Sequence, residues 1–356
     1  MTTVQDESHP VAEQRVGIYT ALIGLLQESG VDALSVLAQE GLSPRLLADP
    51  DGRIPFATAG RLLAASARAT GRDHFGLLLG QRASLSYLGI LAQVASNSPT
   101  LGAALRNFTV HHHLYSDGGV VYLFEDDGVV SFGYAIYHPG IEGAEQIYDA
   151  AVGQILGGIS ELIGMPLRPR EILLSRRAPP DPAPYRRVLP VMPTFDAGRT
   201  EIRFDAGLMS MEVPGAEPAR LRALTALLET AGRHNLTNRL RRTLRIQLLH
   251  GDTAGDHAAQ MLDLHRRTLN RRLRRCGTTF QDVLDRVRFD TARHLLHLTN
   301  MPLPQIAASL GYVNVSSFTR AFGRWSGDTP ARFRARAKAV DPAGQASGRI
   351  TTPGPV

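Results

Sequence analysis

Apolar residues recur at helical spacing from Val16 to Leu47, with Ile18, Leu22, Leu25 and Leu26 on one stripe and Gly30 and Gly41 breaking the run. Pro55 opens a second amphipathic stretch through Leu62, Leu63 and Ala67 that ends near Gly71, and helical patterns follow at about 73–83 and 99–115. The texture then changes. Val120–Glu125 and Val129–Tyr137 are rich in β-branched and aromatic side chains, and Asp126-Asp127-Gly128 between them predicts a hairpin. Helical periodicity returns at about 143–163, and short strands are expected at Glu171–Ser175 and Glu201–Phe204. The Pro-rich stretch 178–193 reads as a crossing loop with one helical turn. Residues 1–14 read as a loose tail and residues 15–212 as one α+β domain, without internal repeats at solenoid periods.

Val213-Pro214-Gly215 breaks this pattern, and everything after it is helical. Leu221, Leu224, Leu227 and Leu228 share one face, as do Leu240, Leu244 and Leu248; Gly251, Gly277 and Gly311 then separate a series of short helices. The expected division is a linker region over 213–234, an all-α domain over 235–337, and a disordered tail over 338–356, rich in Pro, Gly, Ser and Thr.

Two segments of the helical part share one grammar. In Ala258–Arg275 a short helix with Ala259 and Leu262 reaches a tight turn at Asp263–His265, and a second helix follows with Leu269 and Leu273 inward. Small Ala259 permits the close, steep crossing of a helix-turn-helix. The opposite face presents Arg267, Asn270, Arg271 and Arg274, and arginine and asparagine are suited to bidentate hydrogen bonds with guanine and adenine edges. The pattern returns at Ile306–Tyr312, a short helix with a turn at Gly311. There Asn314 is placed to cap a helix with Phe318, Phe322 and Trp325 inward and Val315, Ser316, Ser317, Thr319 and Arg320 outward. Between the units, Phe280–Leu298 has apolar residues at helical spacing and is long enough to separate two reading heads by roughly one DNA turn, about 34 Å.

Charge changes the picture by its distribution. The net charge is +6, but residues 233–338 hold 20 Lys/Arg against 7 Asp/Glu, and the remainder holds 19 against 26. A basic module joined to an acidic one points to a polyanion facing only the C-terminal part. Of the 39 basic residues only Lys338 is lysine, a bias that fits a GC-rich genome better than a functional choice. A lone cysteine, Cys276, excludes an internal disulfide framework and a cysteine-built zinc site. With no apolar run long enough to span a membrane and a polar N-terminus, a cytoplasmic location is expected.

The stretch IAASLGYVNVSSFTRAFGRWSGDTPARFR resembles the AraC/XylS-type regulator signature at nearly every defining position: Ile306, Ala307, Leu310, Gly311, Tyr312, Asn314, Ser316, Phe318, Arg320, Phe322, Gly327, Pro330, Phe333 and Arg334. Upstream, RTLNRRLRRCGTTFQDVLDRVRFDTARHLL is similar to that family's first unit and linker helix. The resemblance implies base contacts at Arg267, Asn270 and Arg271 and at Val315, Ser316, Ser317 and Arg320. His265 stands where the family usually places a serine cap, which is expected to weaken the start of the first recognition helix by up to about 1 kcal/mol. Arg320 is expected to anchor phosphate rather than read a base. Residues 17–212 resemble the arabinose-binding-like sensor domain of an AraC subgroup that includes ornithine-utilisation and mycobacterial virulence regulators. They do so through DGRIPFATAGRLLAASARATGRDHFGLLLG, SYLGILAQVASNSPTLGAALRNF and PTFDAGRTEIRFDAGLM. That label does not imply arabinose as ligand.

Other chemistry is thin. His111-His112-His113 point about 100° apart on a helix, so the three cannot converge on one metal ion; one of them facing a pocket with Tyr115, Tyr134 or His138 is an alternative to ordinary surface or core histidines. Glu125-Asp126-Asp127 lies in a turn and Glu142/Glu145 on a solvated helix, and Ser84, Ser86 and Ser96 lack a nucleophile-elbow context, so no enzyme is expected. Gly153, Gly157 and Gly158 suggest close helix packing. Cys276, beside Arg274 and Arg275, is placed either as an ordinary surface thiol or as a redox sensor. The expected protein is a sequence-specific regulator of transcription that binds promoter DNA and is controlled by a small-molecule effector in its N-terminal domain. RNA polymerase and a second copy of the chain are its other expected partners, and no cofactor or metal is expected. The alternatives are a ligand-independent regulator whose N-terminal domain only dimerises, and an enzyme fused to a DNA-binding module.

Overall fold

The computed structural model describes residues 12–138, 140–231, 236–251, 254–262 and 264–340. The expected tail at 341–356, most of that at 1–14, the end of the linker at 232–234 and Asp263 of the first turn lie outside the described residues.

In the N-terminal half, strands β1 (Glu13–Arg15) and β2 (Arg53–Pro55) pair antiparallel, so the expected tail gives way to a strand at its end; three-residue strands leave no periodicity to read. The other four strands among the described residues are β3 (Gly119–Asp126), β4 (Val129–Ile136), β5 (Glu171–Leu173) and β6 (Thr200–Asp205). They form one antiparallel sheet in the order β3-β4-β6-β5, with Val121 opposite Tyr134 and Phe132 opposite Ile202. The expected strands match to within two residues. The crossing loop carries its single turn of helix at Ala183–Val188.

Strands β3 and β4 read as near-continuous apolar runs because the sheet is covered on both faces. Val121, Val130, Phe132, Tyr134 and Ile136 face the large N-terminal core, while Val120, Tyr122 and Ala135 face Leu249 and Ile246 of the C-terminal half. The core beneath the sheet is built on two helices, Ala144–Ile163 and Phe75–Arg82. Gly76 and Gly80 let these helices touch backbone to backbone. A Cβ at either position would stand 2.0 or 2.1 Å from the carbonyl oxygens of Gln146 and Ala150. Gly153 is packed in the same seam, but Gly157 faces open space, so only part of the expected glycine packing is used.

Among the described residues every element after Val213 is a helix: Pro218–Ala231, Leu236–His250, Gly255–Met261, Arg266–Arg275, Phe280–Leu298, Leu303–Ser309, Val315–Ser326 and Pro330–Val340. The last of these runs three residues past the expected boundary at 337. Pro218–Ala231 is no free tether, since Leu224 and Leu228 pack on Val94 of the N-terminal half. Leu227 was expected on the same buried face and is instead 60% exposed. Two small cores organise the rest. Leu240, Leu244, Leu269, Leu273, Val283 and Leu284 belong to one; Leu295, Ile306, Leu310, Phe318 and Phe322 belong to the other. The Phe280–Leu298 helix contributes to both, its first half to one and its second half to the other. No helix among the described residues is long and apolar enough to cross a membrane.

Candidate nucleic-acid interface

The first unit is built as the spacing requires. Ala258 and Ala259 of the Gly255–Met261 helix are buried, and the Leu264 amide donates back to the Ala259 carbonyl at 2.9 Å, closing the turn. His265 takes the cap position in extended conformation, and its side chain makes no capping hydrogen bond, so the first recognition helix starts without the bond a serine would supply. Leu269 and Leu273 are fully buried on its back. Arg267, Arg271 and Arg274 are exposed and Asn270 is half-buried, which makes one polar stripe along the helix.

Its arginines are not equivalent. Arg266 turns inward, its guanidinium 4.1 Å from the Phe280 ring centroid, and so ties the recognition helix to the next one rather than reaching outward. Arg272 and Arg275 are exposed beside the stripe, and Cys276 is exposed at the helix end. The linker helix begins firmly. The Thr279 hydroxyl accepts from the Asp282 amide at 3.1 Å while the Asp282 carboxylate accepts from the Thr279 amide at 2.9 Å, a reciprocal capping box. The Thr-x-x-Asp spacing at 279–282 is the sequence signal of that box.

In the second unit the turn glycine Gly311 has φ +76°, a conformation that L side chains rarely adopt. The Asn314 carboxamide accepts from the Ser317 amide at 2.9 Å, as expected of its cap. Phe318 and Phe322 are fully buried, with Phe322 packed edge-on against Phe289 and Phe333 at 5.5 and 5.6 Å, and Trp325 is partly buried. Ser316 and Arg320 are exposed; Ser317 and Thr319 are half-buried. Val315 also packs against the core, so its side chain only partly faces out. Val313, one residue before the cap, is 99% exposed and was not singled out by the sequence pattern. Two more arginines serve the fold. Arg288 Nε donates to the Leu310 carbonyl at 3.0 Å and Arg334 to the Met301 carbonyl at 2.6 Å, each holding a chain turn of the second unit.

Both exposed polar faces are thus carried on helices with apolar backs, joined through one 19-residue helix. A model of the arabinose-binding N-terminal domain of the AraC transcription regulator matches residues 30–213, just over half of the chain, and a helix-turn-helix domain model matches residues 258–336. The chain belongs to the AraC family of transcription regulators. Relatives match it along most of its length. The ornithine utilization regulator of Pseudomonas aeruginosa is 29% identical over 88% of this chain and 94% of its own. The regulator VirS of Mycobacterium tuberculosis is 31% identical over 87% and 93%. Among solved structures, the transcriptional regulator CdpR from Pseudomonas aeruginosa is 22% identical, with 87% of this chain and 98% of that one covered at a TM-score of 0.42. This AraC-type regulator is a DNA-binding protein with an α/β N-terminal part and a helical helix-turn-helix part.

In this AraC-type regulator the DNA-binding half is docked on the N-terminal half through polar contacts as well as apolar ones. Arg245 of the Leu236–His250 helix is buried beside Tyr148 and Tyr122. Burial pushes its guanidinium pKa down, with the two tyrosines acting the other way. The Tyr148 hydroxyl also lies 2.6 Å from His294 Nε2 on the linker helix. Arginine can only donate, so the Tyr148 oxygen accepts from Arg245 and its proton goes to a neutral His294. That assignment fits an imidazole pushed down to about 3 by burial, with Arg245 and His297 acting the same way. Nearby, the Asn300 amide donates to Asp196 at 2.8 Å and Arg177 donates to the His297 carbonyl at 2.5 Å.

Proposed function

We propose that this regulator reads a promoter site of two major-groove blocks about one helical turn apart. In this reading Arg267, Asn270, Arg271 and Arg274 lie in the first groove, and Asn314, Val315, Ser316, Ser317, Thr319 and Arg320 line the second. The observation that carries it is the pair of exposed faces on helices with buried backs, linked by a helix whose 19 residues span about 28 Å. Arg320 and the amides capped by Asn314 are suited to phosphate, and Val313, rather than Val315, is the apolar side chain free to meet the groove. The proposed division follows the sequence limits, a sensor at 15–212 and a DNA-binding domain at 235–337. The Pro218–Ala231 helix between them is attached to the sensor by its contact with Val94.

Control by a small molecule in the N-terminal half is part of this proposal, as are action by binding rather than catalysis, contact with RNA polymerase, self-association and a cytoplasmic location. What supports effector control is a run of contacts between the halves. Tyr134, on the core face of β4, packs edge-on against Tyr148 at 6.4 Å, and Tyr148 joins His294 of the linker helix. Ornithine, which the name of one relative carries, needs charged partners for its ammonium and carboxylate groups, and the cavity beside Tyr134 is lined by none.

Base reading is tested on Asn270→Ala and Arg271→Ala. Each is expected to cost about 1–3 kcal/mol on a bound promoter site and to leave binding to scrambled DNA nearly unchanged. Equal losses on both DNAs would show that these side chains touch only phosphate and would sink the assignment.

A further inference from the structure

A cavity of about 80 Å³ lies inside the N-terminal half, between the core face of β3 and β4 and the Ala144–Ile163 helix. Its wall is mostly aliphatic and aromatic, with Tyr19, Phe108 and Phe132 among its larger side chains, and no Asp, Glu, Lys or Arg lines it. Several polar groups break that wall, and most are bonded within the protein: Tyr19 with Gln14, and Tyr134 with Ser116. His112 Nδ1 and Gln154 Nε2 are buried and make no hydrogen bond within the protein, and the Tyr115 hydroxyl, whose oxygen accepts from the Ile18 amide, keeps its proton to give. An unsatisfied buried group costs about 1–3 kcal/mol, so the cavity favours an occupant that bonds to these groups. The histidine run resolves accordingly. His112 is buried, within 6 Å of the Tyr115 and Tyr134 rings, whereas His111 and His113 are half-buried.

The chemistry of the occupant follows from what the wall offers. Gln154 Nε2 is a donor, and the Tyr115 hydroxyl has a proton to give. His112 stays neutral at ordinary pH, because burial, with Arg242 and His113 acting the same way, pushes it down to about 3. A carboxylate would therefore find donors but no cation to offset the loss of its hydration, a cost of several kcal/mol. A sugar would bring more hydroxyls than three groups can satisfy. The volume is roughly half that of a dry cavity of about 150 Å³ known to hold benzene, so the occupant is compact. We propose that this cavity is the effector site and that it takes a small neutral molecule with an apolar body and one hydrogen-bond-accepting end, of the ketone, amide or ester class. This rests on the proposed control of DNA binding by the N-terminal half.

Three small probes of matched size separate the alternatives on the full-length protein: acetone, acetate and propane. Calorimetric titration, with propane added as a saturated solution, is expected to show acetone binding at least tenfold tighter than either of the others. Gln154→Leu removes a donor without opening space and should erase most of the preference over propane, while Ala151→Leu, which fills the cavity, should abolish binding of all three. Equal or tighter binding of the carboxylate, a preference that survives Gln154→Leu, or no binding by any probe would overturn the assignment of ligand class. DNA affinity, measured on a promoter fragment recovered by mapping the regulator's sites, distinguishes the underlying reading. Acetone that binds with the expected preference yet leaves DNA affinity unchanged would refute effector control while leaving the site and its chemistry in place.

Discussion

Neighbouring residues of one type take opposite roles here, and packing decides which. Arg266 lies over the Phe280 ring while Arg267 is exposed, and Arg288 and Arg334 hold backbone carbonyls where Arg271 faces solvent. The histidines divide in the same way, with a measurable consequence. The imidazole of His112 is held near 3 in the folded chain and returns to about 6.5 on unfolding. Between those values the unfolded state binds a proton that the folded state does not. Stability is therefore highest above about pH 6.5 and falls as pH drops through the window, by about 1.4 kcal/mol per unit from this residue. His294 acts in the same sense. Denaturant unfolding at pH 7.5 and pH 5 should show about 2 kcal/mol less acid destabilisation in His112→Gln than in the wild-type chain. An identical pH dependence in the two proteins would place the folded-state pKa of His112 near its ordinary value.

At the scale of the element, the two recognition helices have comparable scaffolds and different side chains. The first offers Arg267, Asn270, Arg271 and Arg274, long enough for bidentate contacts. The second offers Ser316, Ser317 and Thr319, with Arg320 as its one long polar side chain on that face and Val315 partly tied to the core. One block of roughly four bases is therefore expected to be sharply defined, and a second, about 10 base pairs away, degenerate but still contributing affinity through phosphate. A base-substitution scan of a bound promoter decides this; a sharper block under the second helix would reverse the roles. Much of this layout was legible because helical period and cap chemistry act locally. The limits of Phe280–Leu298 and the Asn314 cap could be read from the chain alone. What could not be read depended on distant partners. Leu249 pairs with a sheet more than a hundred residues away, and β1 and β2 exist only through each other. The helix Ile90–Ser96, seven residues long and mostly apolar, carries too little pattern to distinguish it from a strand or loop. The cavity was legible only as one of several options for a histidine triplet.

At the scale of the whole molecule, the DNA-binding half has cores of its own yet shares a border with the N-terminal half. The clusters around Leu244 and Phe322 lie wholly within residues 236–340, whereas Leu249 packs on the sheet, Leu298 joins the large N-terminal core, and Arg245 is buried beside Tyr148 without an acidic partner among the described residues. Cutting the chain before Leu236 would expose a few apolar side chains but would return a buried guanidinium to water, which offsets part of that loss. A fragment of residues 236–340 is therefore expected to melt cooperatively and to bind DNA. It keeps nearly all of the basic excess and sheds a remainder in which 26 acidic residues outnumber 20 basic ones. Without that opposing charge it should bind a given site more tightly than the full chain at about 50 mM salt. The gap should narrow towards about 300 mM, where screening leaves distant charges little influence. Fluorescence anisotropy titrations at the two salt concentrations measure both effects. A fragment that fails to melt cooperatively would show that the DNA-binding half depends on the N-terminal half for its fold. Weaker binding at both salt concentrations would show that the docked N-terminal half sets the spacing of the two DNA-facing helices, and that this outweighs the charge it brings.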